Sequence, residues 1–119
     1  MLAKNGGGAI VNVLSALSWS TLPNLGTYSA SKAATWSLTN SIRAELRAQR
    51  TQVLALHVGF IDTDMARAVT SPKIQPSEVV RQTLARLEAG AEEILADETS
   101  RAVKRGLSGG VYLGGHAHV

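Results

Sequence analysis

Blocks of apolar and polar positions along the chain predict alternating strands and helices. Two nearly continuous apolar runs, at 9–14 and 52–58, are typical of strands buried on both faces of a parallel sheet. Between them, residues 28–49 contain no glycine or proline, and apolar side chains recur every four residues from Leu38 to Leu46. This spacing predicts a long helix with one apolar stripe.

The second half of the chain continues the alternation on shorter segments. Pro76 opens a predicted helix that ends before Gly90, residues 93–96 predict a short strand, and residues 99–107 predict a last helix. The remaining residues, 108–119, are expected to form a flexible tail. This order favours an α/β fold with parallel strands and right-handed crossovers. Because parallel sheets normally need cover on both faces, three strands alone predict an incomplete fold.

Composition narrows the class of protein. The 119 residues suffice for about one domain, and 45% hydrophobic with 18% charged residues is the profile of a globular protein. The absence of cysteine excludes disulfides and thiolate metal sites, and His116 and His118 alone do not predict a metal site. No apolar run approaches the ~18 residues of a membrane span, and the start has no signal-peptide core. The net charge of +3 comes from scattered residues. We therefore expect a cytoplasmic protein that binds neither membranes nor nucleic acid.

One group of polar residues carries candidate chemistry. Tyr28 and Lys32 are four residues apart on the predicted helix, so both side chains lie on the same face. A neighbouring ammonium favours the phenolate, and such a tyrosine can act as a general acid or base. Alone, this pair is more often a solvated helix face. Ser15 stands thirteen residues before Tyr28, at the end of a predicted strand where α/β sheets place ligands. Ser18 and Ser20 compete with it on proximity alone.

These residues lie in segments that resemble the short-chain dehydrogenase/reductase family. Residues 8–15 (GAIVNVLS) are similar to the family's strand that ends in serine, and residues 28–34 (YSASKAA) to its Tyr-x-x-x-Lys motif. Residues 58–63 (VGFIDT) resemble its Pro-Gly-x-x-x-Thr segment, with Val58 in place of the proline. The similarity runs from about residue 7 to residue 107. It implies the C-terminal, catalytic half of a Rossmann-like doubly wound parallel sheet, here residues 1–107.

The resemblance implies an oxidoreductase that interconverts a carbonyl and an alcohol with NAD or NADP. Tyr28 would exchange a proton with the substrate oxygen, Lys32 would also hydrogen-bond the nicotinamide ribose, and Ser15 would polarise the carbonyl. The cofactor-binding residues implied are Tyr28, Lys32, Gly59, Ile61 and Thr63. A homo-oligomer is expected for the full-length form. Asn12 matches a motif asparagine, and a purely structural hydrogen bond explains it equally well.

The chain departs from the family's pattern before the first strand. Glycines 6–8 precede a strand, so they do not form the family's dinucleotide loop, which follows one. The family's catalytic asparagine would fall upstream of Met1. We therefore expect the isolated chain to be inactive. The alternative function is that of a catalytically inactive truncated chain that acts only as an association module.

Other polar residues are more simply explained as structural. His57 ends an apolar strand and is expected to be a hydrogen-bonded core residue. Trp36 is compatible with a helix interface or with the core. The arginines near the end of the long helix are expected on its exposed side, where positive charge suits the helix dipole; they are Arg43, Arg47 and Arg50.

Overall fold

The computed structural model describes residues 7–59 and 74–113. Strands and helices alternate within these ranges as the sequence predicts, and their ends agree with the predicted ones within three residues. The elements are β1 (Gly8–Ser15), α1 (Gly26–Leu46), β2 (Thr51–Val58), α2 (Pro76–Glu88), β3 (Glu93–Leu95) and α3 (Glu98–Arg105). Short 3-10 turns extend β1 at Ala16–Ser18 and α1 at Arg47–Gln49.

The three strands form one parallel sheet in the order β1-β2-β3. β1 pairs with β2 along its whole length, from Gly8 opposite Thr51 to Ser15 opposite Val58. β3 pairs with the second half of β2, starting with Glu93 opposite Ala55. The predicted partial Rossmann-like sheet is therefore confirmed, and its strands all end at the same edge.

The core lies around β2. Seven of its eight residues are buried, whereas β1 is buried only at its last two positions. The largest buried cluster joins β2 to α2 and β3; its members are Leu54, Leu56, Val58, Val79, Ile94 and Ala96. Val13 of β1 stands beside Leu56 in the register, yet Val13 is 51% exposed and Leu56 only 3%.

Helix α1 packs on the sheet with small and polar side chains, so the predicted apolar stripe is partly wrong. Leu38 is 61% exposed, whereas Thr39 is fully buried. The Asn12 amide donates to Thr39 Oγ1 at 3.0 Å, and this hydroxyl donates to the Thr35 carbonyl at 2.6 Å. Asn12 therefore has the structural role that was left open, because it joins β1 to α1.

The end of the described chain is hydrogen-bonded. The Val111 amide donates to the Gly106 carbonyl at 3.0 Å, and Val111–Leu113 form a 3-10 turn. Residues 114–119, half of the predicted tail, lie outside the described residues, and its flexibility stays a prediction. Across the ranges that the structure describes, the helices are all too short or too polar to cross a bilayer.

Candidate active site

Tyr28 and Lys32 lie together in the first turns of α1. The Lys32 Nζ is 5.6 Å from the centroid of the Tyr28 ring, and it donates a hydrogen bond to the Val13 carbonyl at 3.1 Å. The Tyr28 side chain is 45% exposed. An ammonium has three donors, so two remain for a ligand. The α1–β1 contact thus holds a positive charge beside an exposed phenol, next to the end of β1.

Ser15 is the last residue of β1 and is 3% exposed. Its Oγ accepts from the Leu17 amide at 3.0 Å, and Ser18 Oγ accepts from the Ser15 amide at 3.3 Å. This reciprocal pair is a capping box that closes the 3-10 turn. Ser18, the competing candidate, is therefore engaged in holding Ser15. No hydrogen bond joins Ser15 to Tyr28 or Lys32 within the described residues.

The loop between the serine turn and α1 is tied back to the helix. Ser29 Oγ donates to Thr21 Oγ1 at 3.0 Å, and the Ser29 amide donates to the Leu25 carbonyl at 2.9 Å. Asn24 adopts a positive φ of 69°, which asparagine tolerates better than most residues. These contacts set where the first turn of α1, with Tyr28, stands relative to β1.

Gly59, the residue after β2, is held by a carboxylate. Its amide donates to Asp97 Oδ2 at 2.8 Å, while Asp97 Oδ1 accepts from the Ser100 amide at 3.0 Å and caps α3. A Cβ at position 59 would lie 3.0 Å from both Asp97 Oδ2 and Thr99 Cβ, so only glycine fits without a shift. Sequence reasoning missed Asp97, although an aspartate just before the start of a predicted helix, here two residues before position 99, is a recognisable cap signal.

Two of the predicted cofactor residues, Ile61 and Thr63, lie outside the described residues. They follow Gly59 in the sequence by two and four residues, and their assignment to the cofactor site stays a prediction. The described part of the candidate site therefore comprises the Ser15 turn, the Tyr28–Lys32 pair and Gly59, all at the carboxyl edge of the sheet.

His57 lies behind this edge and is fully buried, as predicted for a core residue. The predicted hydrogen bond is not found, because neither ring nitrogen has a hydrogen-bond partner among the described residues. Its ring instead stacks on Trp19, with centroids 4.0 Å apart and planes inclined by 18°. The Trp36 ring packs edge-to-face against the Trp19 ring, with centroids 6.0 Å apart. The Trp36 side chain thus contacts the core through Trp19. Trp19 directly follows the serine turn, so the stack braces that turn against β2.

Burial is the main cause of a lowered pKa for His57. The Glu93 carboxylate, 3.9 Å from His57 Nε2, and the Ser15 backbone raise the pKa by smaller amounts, while Lys104 and Arg43 add to the lowering. The histidine is therefore held in its neutral form at neutral pH. A fully buried ring that stacks on Trp19 suits a structural role better than proton transfer at the candidate site.

Comparisons with known proteins point to one family. The family model described as short chain dehydrogenase matches residues 1–74. A dehydrogenase/reductase SDR family member 4 from Oryctolagus cuniculus is 33% identical over 81 residues, which are 68% of this chain and 31% of that protein. Carbonyl reductase [NADPH] 2 from Sus scrofa is 38% identical over 71 residues, 60% of this chain and 29% of that protein.

Solved structures give the same result for the fold. A short chain dehydrogenase from Burkholderia cenocepacia, in complex with NADP, superposes with a TM-score of 0.83 at 44% identity. The superposition covers 90% of this chain and 46% of that one. A putative oxidoreductase from Escherichia coli gives a TM-score of 0.67 at 26% identity, over 77% of this chain and 41% of that one. The chain thus spans about a third of the curated relative from rabbit and under half of these solved structures.

Proposed function

Because the chain belongs to the short-chain dehydrogenase family, we propose that it is the catalytic part of an oxidoreductase that interconverts a carbonyl and an alcohol. The observation that carries this proposal is the Lys32 ammonium, 5.6 Å from the Tyr28 ring and bonded to the Val13 carbonyl. This arrangement places an ammonium beside the ring of an exposed tyrosine. The ammonium is bonded to the carbonyl of Val13, which is two residues before Ser15 in the sequence. The Ser15 hydroxyl is a second proton donor.

The proposed cofactor is NAD or NADP. One solved relative is a complex with NADP, and one curated relative carries NADPH in its name. The residues present fit such a group, because Lys32 retains two donors and Tyr28 is exposed at the same sheet edge. Lys32 and Gly59 would hold the cofactor, together with Ile61 and Thr63. When bound, the nicotinamide supplies or accepts the hydride, and the protein positions and protonates.

Proton transfer falls to Tyr28 and Ser15 in this proposal. Tyr28 Oη would give its proton to the substrate oxygen in reduction and take it back in oxidation, with the Lys32 ammonium beside it. The Leu17 amide occupies a lone pair of Ser15 Oγ, which leaves the serine hydroxyl proton for the substrate oxygen. Ser15 would thereby orient the carbonyl towards Tyr28.

Replacing Tyr28 by Phe, with this chain in its full-length context, tests the proposal. The rate constant kcat should fall by about 10²–10⁴-fold, because only the proton donor is removed, while the Kd of the cofactor stays nearly unchanged. Lys32→Met should impair both kcat and cofactor binding. Tyr112→Phe is the matched control, since it removes a phenol that is 54% exposed on the 3-10 turn. A Tyr28→Phe enzyme with near-wild-type kcat would remove Tyr28 from the mechanism.

The alternative is a chain without activity that serves only as an association module. The exposed Leu38 on α1 and the thin cover of β1 favour this alternative. Cofactor binding by the pure 119-residue chain separates the proposals, because both expect this chain to be inactive on its own. We expect no measurable NAD(P)H oxidation with a panel of small ketones. NADP should nevertheless raise the Tm if the chain retains the nicotinamide end of a cofactor site, and a pure association module should show no such rise.

A further inference from the structure

A second concave site lies at the opposite end of the sheet from the candidate active site. A cavity of about 340 Å³ opens at the amino-terminal end of β2. It begins at Thr51, whereas Gly59 follows the other end of the strand, roughly 25 Å away along β2. The residues that line this cavity and matter here are Arg43, Arg47, Arg50, Thr51 and Glu92. We call it the arginine pocket.

Arg43 is the fixed part of the arginine pocket. Its Nε donates to the Val53 carbonyl at 3.1 Å, its Nη1 to Asn40 Oδ1 at 2.7 Å, and its Nη2 to the Glu92 carbonyl at 2.9 Å. The side chain is only 14% exposed, which corrects its predicted place on the exposed side of the helix. A guanidinium has five donors, so two N–H groups remain for a ligand. Arg43 is thus held in place before any ligand arrives.

Arg47 and Arg50 are the adaptable part. Arg47 Nη2 donates to Glu92 Oε2 at 3.1 Å, and the Arg47 side chain is 65% exposed. Arg50 adopts a left-handed φ of 56° after the 3-10 turn, and within the described ranges its side chain makes no hydrogen bond or ion pair. Three guanidinium groups therefore face one carboxylate, that of Glu92, so the arginine pocket keeps a net positive charge.

Thr51 supplies an independent observation. Thr51 is only 5% exposed, and no donor or acceptor in the part of the chain that the structure describes pairs with its Oγ1. A buried hydroxyl without a partner loses its hydrogen bonds to water with no compensation, and such groups are rare in proteins. This one belongs to a residue that lines the arginine pocket. The floor of the arginine pocket therefore contains an uncompensated polar group beneath the three arginines.

We propose that the arginine pocket binds a small phosphate-type dianion, held by Arg43, Arg47 and Arg50. Guanidinium groups recognise phosphate through paired N–H donors. The Glu92 carboxylate opposes the ligand's charge and sets a limit on affinity. Favourable charge at the end of α1 explains the arginines of the helix, but it explains neither the cavity nor the unpartnered Thr51 hydroxyl.

The test uses the 119-residue chain and inorganic phosphate, with ionic strength held constant by sodium chloride. Arginine side-chain NMR signals should shift saturably with phosphate, and a Kd follows from the titration. Arg47→Gln combined with Arg50→Gln should weaken phosphate binding by about tenfold, because two exposed charged contacts are lost. Glu92→Gln should tighten it, since the opposing charge is removed. Arg105→Gln on α3, which removes the same charge elsewhere, should leave the Kd unchanged.

Two arms identify the source of the phosphate. Adenosine monophosphate that binds more tightly than inorganic phosphate indicates a nucleotide-borne phosphate, whereas equal binding indicates the free ion. The proposal is overturned if chloride produces the same shifts, if the double variant binds as well as wild type, or if Glu92→Gln weakens binding. Dehydrogenase activity plays no part in these readings, so they are independent of the proposed function.

Discussion

β1 and β2 are neighbouring parallel strands of eight residues each, and both have largely apolar sequences. Seven residues of β2 are buried, compared with two of β1. β2 pairs on both edges, with β1 and β3, whereas β1 pairs only with β2 among the described residues. An apolar run therefore predicts a strand in both cases, but the number of neighbouring elements decides how much of it is buried.

The largest expected effect comes from truncating neighbouring side chains on the two strands. Leu56→Ala in β2 should lower the free energy of unfolding by about 2–5 kcal/mol, because Leu56 is 3% exposed and truncation leaves a cavity. Val13→Ala, beside it on β1, should cost no more than about 0.5 kcal/mol, since Val13 is 51% exposed. Urea titration measures both. Equal losses would show that β1 is as well covered as β2.

Hydrogen exchange tests the same contrast in the backbone. Amides of residues 9–14 should exchange at least about tenfold faster than those of residues 53–57, because fewer packed neighbours protect an edge strand. The comparison needs a chain whose oligomeric state is known, since association through the edge would protect β1. Equal, strong protection of both strands in a monomer would contradict the edge position of β1.

The strand ends differ as well, and Asp97→Ala tests that difference. The end of β1 is held by a hydrogen bond within the adjoining turn, from the Ser15 amide to Ser18 Oγ. Gly59, after β2, is held instead by Asp97, the N-cap of α3. Asp97→Ala should lower the free energy of unfolding by about 0.5–2 kcal/mol, because the cap of α3 is lost. Asp97→Asn keeps an acceptor oxygen and should lose less. If Asp97→Ala proved as stable as wild type, this carboxylate would not be what secures the end of β2.

The smallest effect concerns pH and the titratable residue on β2. His57 has a lowered pKa in the folded chain, so the unfolded chain binds more protons below about pH 6.5. Stability should therefore be complete above that pH and fall as the pH decreases towards the folded-state pKa. His57→Phe retains an aromatic ring against Trp19 and should flatten the difference between pH 7.5 and pH 5.5 in urea titrations. An unchanged pH dependence in this variant would assign it to other groups.

Local sequence patterns were sufficient to predict the strands and helices, but not to predict which side chains of a helix are buried. The order and ends of the strands and helices follow from apolar runs, prolines and glycines that lie within each segment. The burial of Thr39 in place of Leu38 depends on Asn12, which lies 27 residues earlier. No periodicity within α1 contains that contact, so the predicted stripe is right for the half-buried Ile42 and Leu46 but wrong for Leu38.

The candidate site shows the same limit. The spacing of Tyr28 and Lys32 was sufficient to expect them side by side, because four residues make one helical turn. The link from Asp97 to Gly59 spans 38 residues, and the stack of Trp19 on His57 joins two separate elements. Such contacts form only when the chain folds. The chemical roles of Ser15, Tyr28 and Lys32 stay predictions until variants are measured.

The hydrogen bond from Lys32 to the Val13 carbonyl links the proton chemistry to the less covered strand. The ammonium that stands beside Tyr28 takes its position from β1, so fluctuations of β1 also move that charge. One main-chain carbonyl of β1 therefore helps to position the ammonium beside Tyr28. The packing around β1 and the geometry of the candidate site are linked through that single contact.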